Sequence, residues 1–110
     1  MPDQQILHTG SKATLILGGN LIASITQELK NDIKRLIQTG VTALEIDLSN
    51  VTIVDSTGIG CLIATYNTLA RIGGNLTVTH LSADIYELFC SMRLNRHFTI
   101  VPLGTGRSQE

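Results

Sequence analysis

The sequence predicts a single α/β domain in which a mixed sheet of four to five strands carries packed helices. Three observations predict it. Apolar residues recur with a period of two in some segments and at spacings of three and four in others. The two kinds of segment alternate along most of the chain, which implies parallel strands joined by right-handed helical crossovers. The chain also opens on two short apolar segments joined by turn residues, which adds one antiparallel pair. The 110 residues suffice for about one domain. A hydrophobic fraction of 43% is enough for a core, and a charged fraction of 15% is too low for a disordered chain.

Each element follows in order. Residues 4–9 and Ala13 to Leu17 form the opening strands, with Gly10-Ser11-Lys12 turning between them. Thr14-Leu15-Ile16-Leu17 is nearly continuously apolar, the pattern of a strand covered on both faces. Gly18-Gly19-Asn20 ends it. A first helix, started by Ser24 or Thr26, carries Ile25, Leu29, Ile33, Leu36 and Ile37 on one stripe, with Lys30, Lys34 and Arg35 off it. Gly40 is placed to stop it.

Ala43 to Leu48 returns to period two, with Leu44, Ile46 and Leu48 on one face and Glu45 and Asp47 on the other. The β-branched run Val51 to Val54 leads straight into Asp55-Ser56-Thr57-Gly58. A second helix follows, marked by Ile59, Leu62, Ile63, Tyr66 and Leu69 and closed by Gly73-Gly74. Asn75 to His80 is a strand with Leu76 and Val78 inward. Ser82 caps a third helix bearing Ile85, Leu88, Phe89 and Met92. Phe98 to Val101 is a last strand, stopped by Pro102. The domain is expected over residues 1–103, with 104–110 a flexible tail lacking an apolar anchor. Three helices leave one sheet face thinly covered, and an apolar face left open would be a partner surface.

Composition excludes several classes. A formal charge of −1 supplies no basic field for nucleic acid. With 4% aromatics and no tryptophan, base-stacking platforms are not expected. No run approaches the roughly 18 apolar residues of a membrane span, and the polar N-terminus is unlike a signal peptide, so a cytoplasmic protein that engages no membrane is expected. Cys61 and Cys90 are too few for a disulfide scaffold. They read as small buried hydrophobes with reduced thiols. His8, His80 and His97 are dispersed, so no metal site or cofactor is expected.

One segment carries chemistry: Val54-Asp55-Ser56-Thr57-Gly58-Ile59-Gly60, at a strand-to-helix junction. Asp, Ser and Thr are the preferred helix N-caps, and capping alone accounts for much of it. Gly58 and Gly60 add what capping does not need. They remove side chains beside two hydroxyls, so a partner backbone or a phosphate could approach the helix N-terminus closely. Phosphate on Ser56 would bring a charge of about −1.5 to −2 there. Asp55 and Ser56 as nucleophile and base are disfavoured, because no histidine is placed to complete the set.

Asp55-Ser56-Thr57-Gly58-Ile59-Gly60, after the strand Leu44 to Ser49, resembles the phosphorylation-site motif of STAS-domain anti-sigma factor antagonists. Gly73-Gly74-Asn75-Leu76 and Ser82…Leu88-Phe89 match the same family's spacing, over roughly residues 4 to 103. The resemblance implies a STAS-like fold and a switch, not an enzyme. Family members bind an anti-sigma factor that is also a serine kinase, release it when phosphorylated on the serine after the aspartate, and are reset by a phosphatase. Here that serine is Ser56, with Thr57 the alternative, and the partner surface is Asp55, Ser56, Thr57, Gly58, Ile59 and Ile22. The sequence departs from the family at Ile22, where an acidic residue is common.

Arg93, Arg96 and His97 form a basic edge in a run that resembles a STAS subgroup of chemotaxis-type signalling. The alternative reading is a constitutive STAS adaptor in a signalling or transport assembly, with Ser56 a cap and unphosphorylated. Exposed parts of the second helix are a possible homodimer surface.

Overall fold

The computed structural model describes residues 4–103, so the expected tail at 104–110 lies outside the described residues. The chain runs β1 (Gln5–Thr9), β2 (Lys12–Ile16), α1 (Ala23–Gln38), β3 (Ala43–Asp47), α2 (Ser56–Arg71), β4 (Asn75–Leu81), α3 (Ala83–Ser91), a short 3-10 turn at Leu94–Arg96, and β5 (Thr99–Pro102). The sheet has five strands in the order β1-β2-β3-β4-β5, with β1 antiparallel to β2 and every later pair parallel. This is the expected mixed sheet with three helices.

The register places Leu15, Ile46 and Val78 side by side across β2, β3 and β4, all fully buried. Ile25, Leu29, Ile33 and Leu36 of α1 and Leu62 and Leu69 of α2 close over that face, with Phe89 of α3 completing the core. Burying a side chain of this size stabilises the fold by about 1.5–3 kcal/mol relative to leaving it exposed.

The opposite face corrects one expectation. β2 is not covered on both sides: Ala13 and Leu15 are buried, whereas Thr14 and Ile16 are half-buried. The open face is also not apolar. Thr14, Glu45, Thr77 and Thr99 share one row across it, and the Thr79 hydroxyl donates to Glu45 Oε2 at 3.2 Å. Antiparallel edges and hydroxyl-bearing rows let a sheet face water without a helix layer.

α3 is a further correction. Ser82 caps it as expected, its Oγ accepting from Ile85 N at 3.4 Å. Leu88 and Met92, expected inward, are exposed at 39% and 45%. Only Ile85 and Phe89 of this nine-residue helix are buried, so its apolar stripe is one row wide. Val51 to Val54 forms no named strand. Its single bridge, Leu21 with Val54, ties the loop after β2 to the loop before α2.

Candidate functional site

Two loops leaving the carboxyl ends of β2 and β3 are zipped together, and the zipper sets the position of the Asp55-to-Gly60 motif. Asn20 Oδ1 accepts from Thr52 N, Thr52 Oγ and Ile53 N at 2.9, 3.1 and 3.1 Å. Leu21 N donates to Ile53 O at 3.0 Å, and Asp55 N donates to Leu21 O at 3.1 Å. Asn50 Nδ2 adds a bond to Leu17 O at 3.0 Å. The start of α2 therefore lies beside the start of α1, at the end of the parallel strands where α/β sheets ordinarily bind ligands.

Asp55 joins the two helices. Its Oδ1 accepts from Gly58 N at 2.8 Å, which caps α2, and its Oδ2 accepts from Ala23 N at 2.9 Å, which caps α1. Helix N-termini leave backbone N–H groups without intrahelical partners, and a carboxylate satisfies them while facing the positive end of the dipole. The Gly58 N–H, then the Ala23 N–H, hold the Asp55 carboxyl below its ordinary value. The expectation that Ser24 or Thr26 starts α1 is thereby corrected. The helix begins at Ala23 after Ile22, whose extended backbone carries no side-chain cap, and the cap arrives from a residue 32 positions away. Thr26 instead donates to Ala23 O at 3.0 Å.

The two glycines of the motif do different work. Gly58 is buried, and a Cβ there would meet Leu21 O at 2.3 Å, so its lack of a side chain serves the close approach of α2 to the Leu21 backbone. A Cβ on Gly60 would meet nothing within 4 Å, and Gly60 is exposed.

Ser56 and Thr57 occupy the first two positions of α2, both exposed. Among the described residues neither hydroxyl has a hydrogen-bond partner. Ile59 is buried at 7%, and Ile22 is half-buried. Sequence reasoning missed Asn20 and Ile53. In sequence Asn20 marks only a strand end, yet its side-chain carbonyl organises the neighbouring loop. Ile53 sits two residues before Asp55 with its side chain 58% exposed, a large apolar group left in water beside the motif.

The remaining candidates lie elsewhere. His97 packs against Tyr66 in a tilted arrangement with ring centroids 5.7 Å apart, and Arg96 and His97 line a cleft with Gly73, Gly74 and Asn75 toward the far end of α2. Tyr66, on which His97 rests, lies ten residues along α2 from Ser56, about 15 Å at 1.5 Å per residue. His80 pairs with Asp47 at 3.3 Å on the open sheet face, and His8 contacts Gly10 O at 2.9 Å in the β1–β2 turn. Cys61 is buried, and desolvation pushes its thiol pKa up, the opposite of an activated nucleophile. Among the described residues no group of three or more His, Cys, Asp or Glu side chains could hold a metal ion, and no helix is long and apolar enough to cross a membrane.

The family model described as "Mlab, STAS domain" matches residues 5–102, which include this capped, serine-bearing helix start. The anti-sigma-B factor antagonist of Staphylococcus epidermidis is 32% identical over 73 residues, 66% of this chain and 68% of that protein. The chain belongs to the STAS-domain family of anti-sigma factor antagonists. Solved structures agree in fold. An anti-sigma factor antagonist from Mycobacterium paratuberculosis superposes with a TM-score of 0.80 at 22% identity, covering 93% of this chain and 86% of that one. The unphosphorylated form of the anti-sigma factor antagonist SpoIIAA gives 0.73 at 17% identity, covering 94% and 91%. The phosphorylated form of the Bacillus cell fate determinant SpoIIAA gives 0.72 at 18%, covering 89% and 90%.

Proposed function

We propose that this protein is a phosphorylation-controlled interaction switch: an anti-sigma factor antagonist that binds an anti-sigma factor with serine kinase activity while Ser56 is unmodified. One observation carries the reading. Ser56 is exposed at the first position of α2, with its hydroxyl unengaged among the described residues, beside an Asp55 carboxylate whose two oxygens are both occupied within the fold. The serine is thus available to a kinase, and a phosphate there disturbs neither helix cap. The SpoIIAA fold, known in phosphorylated and unphosphorylated forms, supports the same reading by likeness.

The docking surface is the joined start of α1 and α2: Ser56, Thr57, Gly60, Ile22 and the exposed Ile53, with Asp55, Gly58 and Ile59 shaping it from behind. A dianion added beside Asp55 would place like charges and a desolvation penalty in that interface. A loss of about 3 kcal/mol weakens binding more than a hundredfold. Within the free protein the α2 dipole offsets part of the added charge, so the fold survives the modification. Phosphate removal by a phosphatase would restore binding. The ATP-using chemistry belongs to the partner.

A second reading has its own support. Capping by Asp55 and close packing at Gly58 account for two of the motif's six residues without any modification, which fits a constitutive adaptor. Incubation with the cognate kinase and ATP, followed by mass-spectrometric mapping, separates the two. The switch requires one phosphate on Ser56, or on Thr57 as the alternative acceptor. An unmodified chain that still binds its partner would establish the adaptor.

A further inference from the structure

A groove of about 460 Å³ runs between α1 and α2. On the α1 side it is lined by Lys30, Ile33, Lys34 and Ile37. The α2 side contributes Cys61, Ala64, Thr65 and Thr68 at the same spacing, so each row is one helix face over two turns. The floor and walls are apolar. Ile33 and Cys61 are buried at 4% and 2%, and Ile37 packs on the core. Thr65 Oγ donates to Cys61 O at 2.8 Å and Thr68 Oγ to Ala64 O at 3.0 Å, so both hydroxyls are satisfied by their own helix. The rim carries charge of one sign only. Lys30 and Lys34 stand one turn apart on α1, and among the described residues neither has an acidic partner. Arg35 beside them, by contrast, pairs with Asp32. Like charges four residues apart weaken a helix, and nothing within the fold offsets that repulsion. Burial pushes the Cys61 thiol pKa up and the Lys30 charge opposes that shift, so the Lys30 ammonium lies within electrostatic reach of the groove floor.

We propose that this groove binds a single-chain carboxylate amphiphile, a medium-chain fatty acid, with its alkyl chain between the helices and its carboxylate between the Lys30 and Lys34 ammonium groups. Small-ligand sites are ordinarily clefts of about 300–1,000 Å³, mostly apolar, with a few polar groups that fix orientation. Two ammonium groups one turn apart can each donate to one oxygen of a carboxylate. The charge selects an anion and the walls select a tail. An ion without a tail leaves Ile33 and Ile37 uncovered, and a neutral chain leaves both lysines unpaired. From Cys61 to Thr68 the groove runs about 10 Å along α2 at about 1.5 Å per residue, the length of an extended chain of about eight carbons. A docked helix, about 10–12 Å across, needs a wider seat than this two-turn seam. The groove begins beyond Gly60, so the site is separate from Ser56 and independent of how the motif is read.

Titration of the isotope-labelled full chain with octanoate, followed by amide NMR, tests it. Octanoate is expected to shift amides within 30–37 and 61–68. The shifts are expected to saturate by about 10 mM, an affinity in keeping with a ligand of about ten non-hydrogen atoms. Lys30→Gln combined with Lys34→Gln is expected to weaken binding about tenfold, or about threefold for each exposed ion pair. Ala64→Leu fills the groove from an exposed position. It is expected to abolish saturable binding with an unchanged circular-dichroism spectrum. Octyltrimethylammonium has the tail with the opposite charge, and acetate has the charge without the tail; neither is expected to give a saturable shift. The absence of a saturable shift with octanoate overturns the inference. So does equal binding by either control, or octanoate binding that Ala64→Leu leaves unchanged. Groove amides that shift with protein concentration alone would assign this face to a second copy. Uptake of an acidic amphipathic peptide where octanoate has no effect would assign it to a partner protein. Either result also overturns the inference.

Discussion

Within six residues the start of α2 divides into a locked half and a free half. Asp55 and Gly58 are spent on the fold: one carboxylate caps two helices, and one missing Cβ lets α2 press against the Leu21 backbone. Ser56, Thr57 and Gly60 are spent on nothing the domain itself needs. Their side chains, or the lack of one, face open space at the same helix end. The difference separates residues that hold a docking surface rigid from residues that form it. A motif of this kind therefore fails in two distinct ways, through loss of the frame or through loss of the contact.

Substitutions separate the halves, beginning with the largest effect. Gly58→Ala drives a Cβ into Leu21 O and is expected to destabilise the protein by about 1–3 kcal/mol or more, the range of overpacked sites, as read by chemical denaturation. Asp55→Ala removes both caps and is expected to lower the melting temperature by less. It should also flatten the acid limb of the stability profile. Because the folded-state pKa of Asp55 is held down by the Gly58 and Ala23 N–H groups, its contribution is complete above the ordinary carboxylate value. That contribution disappears as pH falls through the lowered folded value. Melts of the variant and the wild type should therefore converge in acid.

Gly60→Ala should act in the opposite direction, stabilising α2 by about 0.5–1 kcal/mol, since the site is helical and a Cβ there meets nothing. Weakened partner binding by this more stable protein would mark Gly60 as a contact residue. The smallest stability effect is expected for Ser56→Ala, within about 0.5 kcal/mol, as its exposed hydroxyl has no partner within the described fold.

Much of this frame was legible in the sequence. The α1 stripe of Ile25, Leu29, Ile33 and Leu36 is buried as its spacing requires. A cap at the strand-to-helix junction followed from residue preference. The sequence left it open among Asp55, Ser56 and Thr57, and the adaptor reading gave it to Ser56, whereas Asp55 holds it and Ser56 is the first helical residue. The hairpin and the parallel crossovers followed from turn chemistry and alternating periods. What escaped depends on contacts between distant segments. Nothing local to Ile22 shows that its helix is capped from Asp55, because the bond spans 32 positions. The apolar run at β2 looked buried on both sides because Ile16 is apolar, although it lies on a face where its neighbours in register are polar. Leu88 and Met92 fit a helical stripe but fall beyond the width of core that so short a helix covers. Gly58 and Gly60 look alike in sequence, and only the position of Leu21 distinguishes them.

The central claim is that the free half of this helix start is where binding is regulated. Affinity for the cognate anti-sigma factor kinase, measured side by side for Ser56→Ala and Ser56→Asp by calorimetry, tests it most directly. The account predicts that Ser56→Ala binds like the unmodified protein and that Ser56→Asp binds far more weakly, with both variants melting near the wild-type temperature. Equal affinity of the two variants would contradict it.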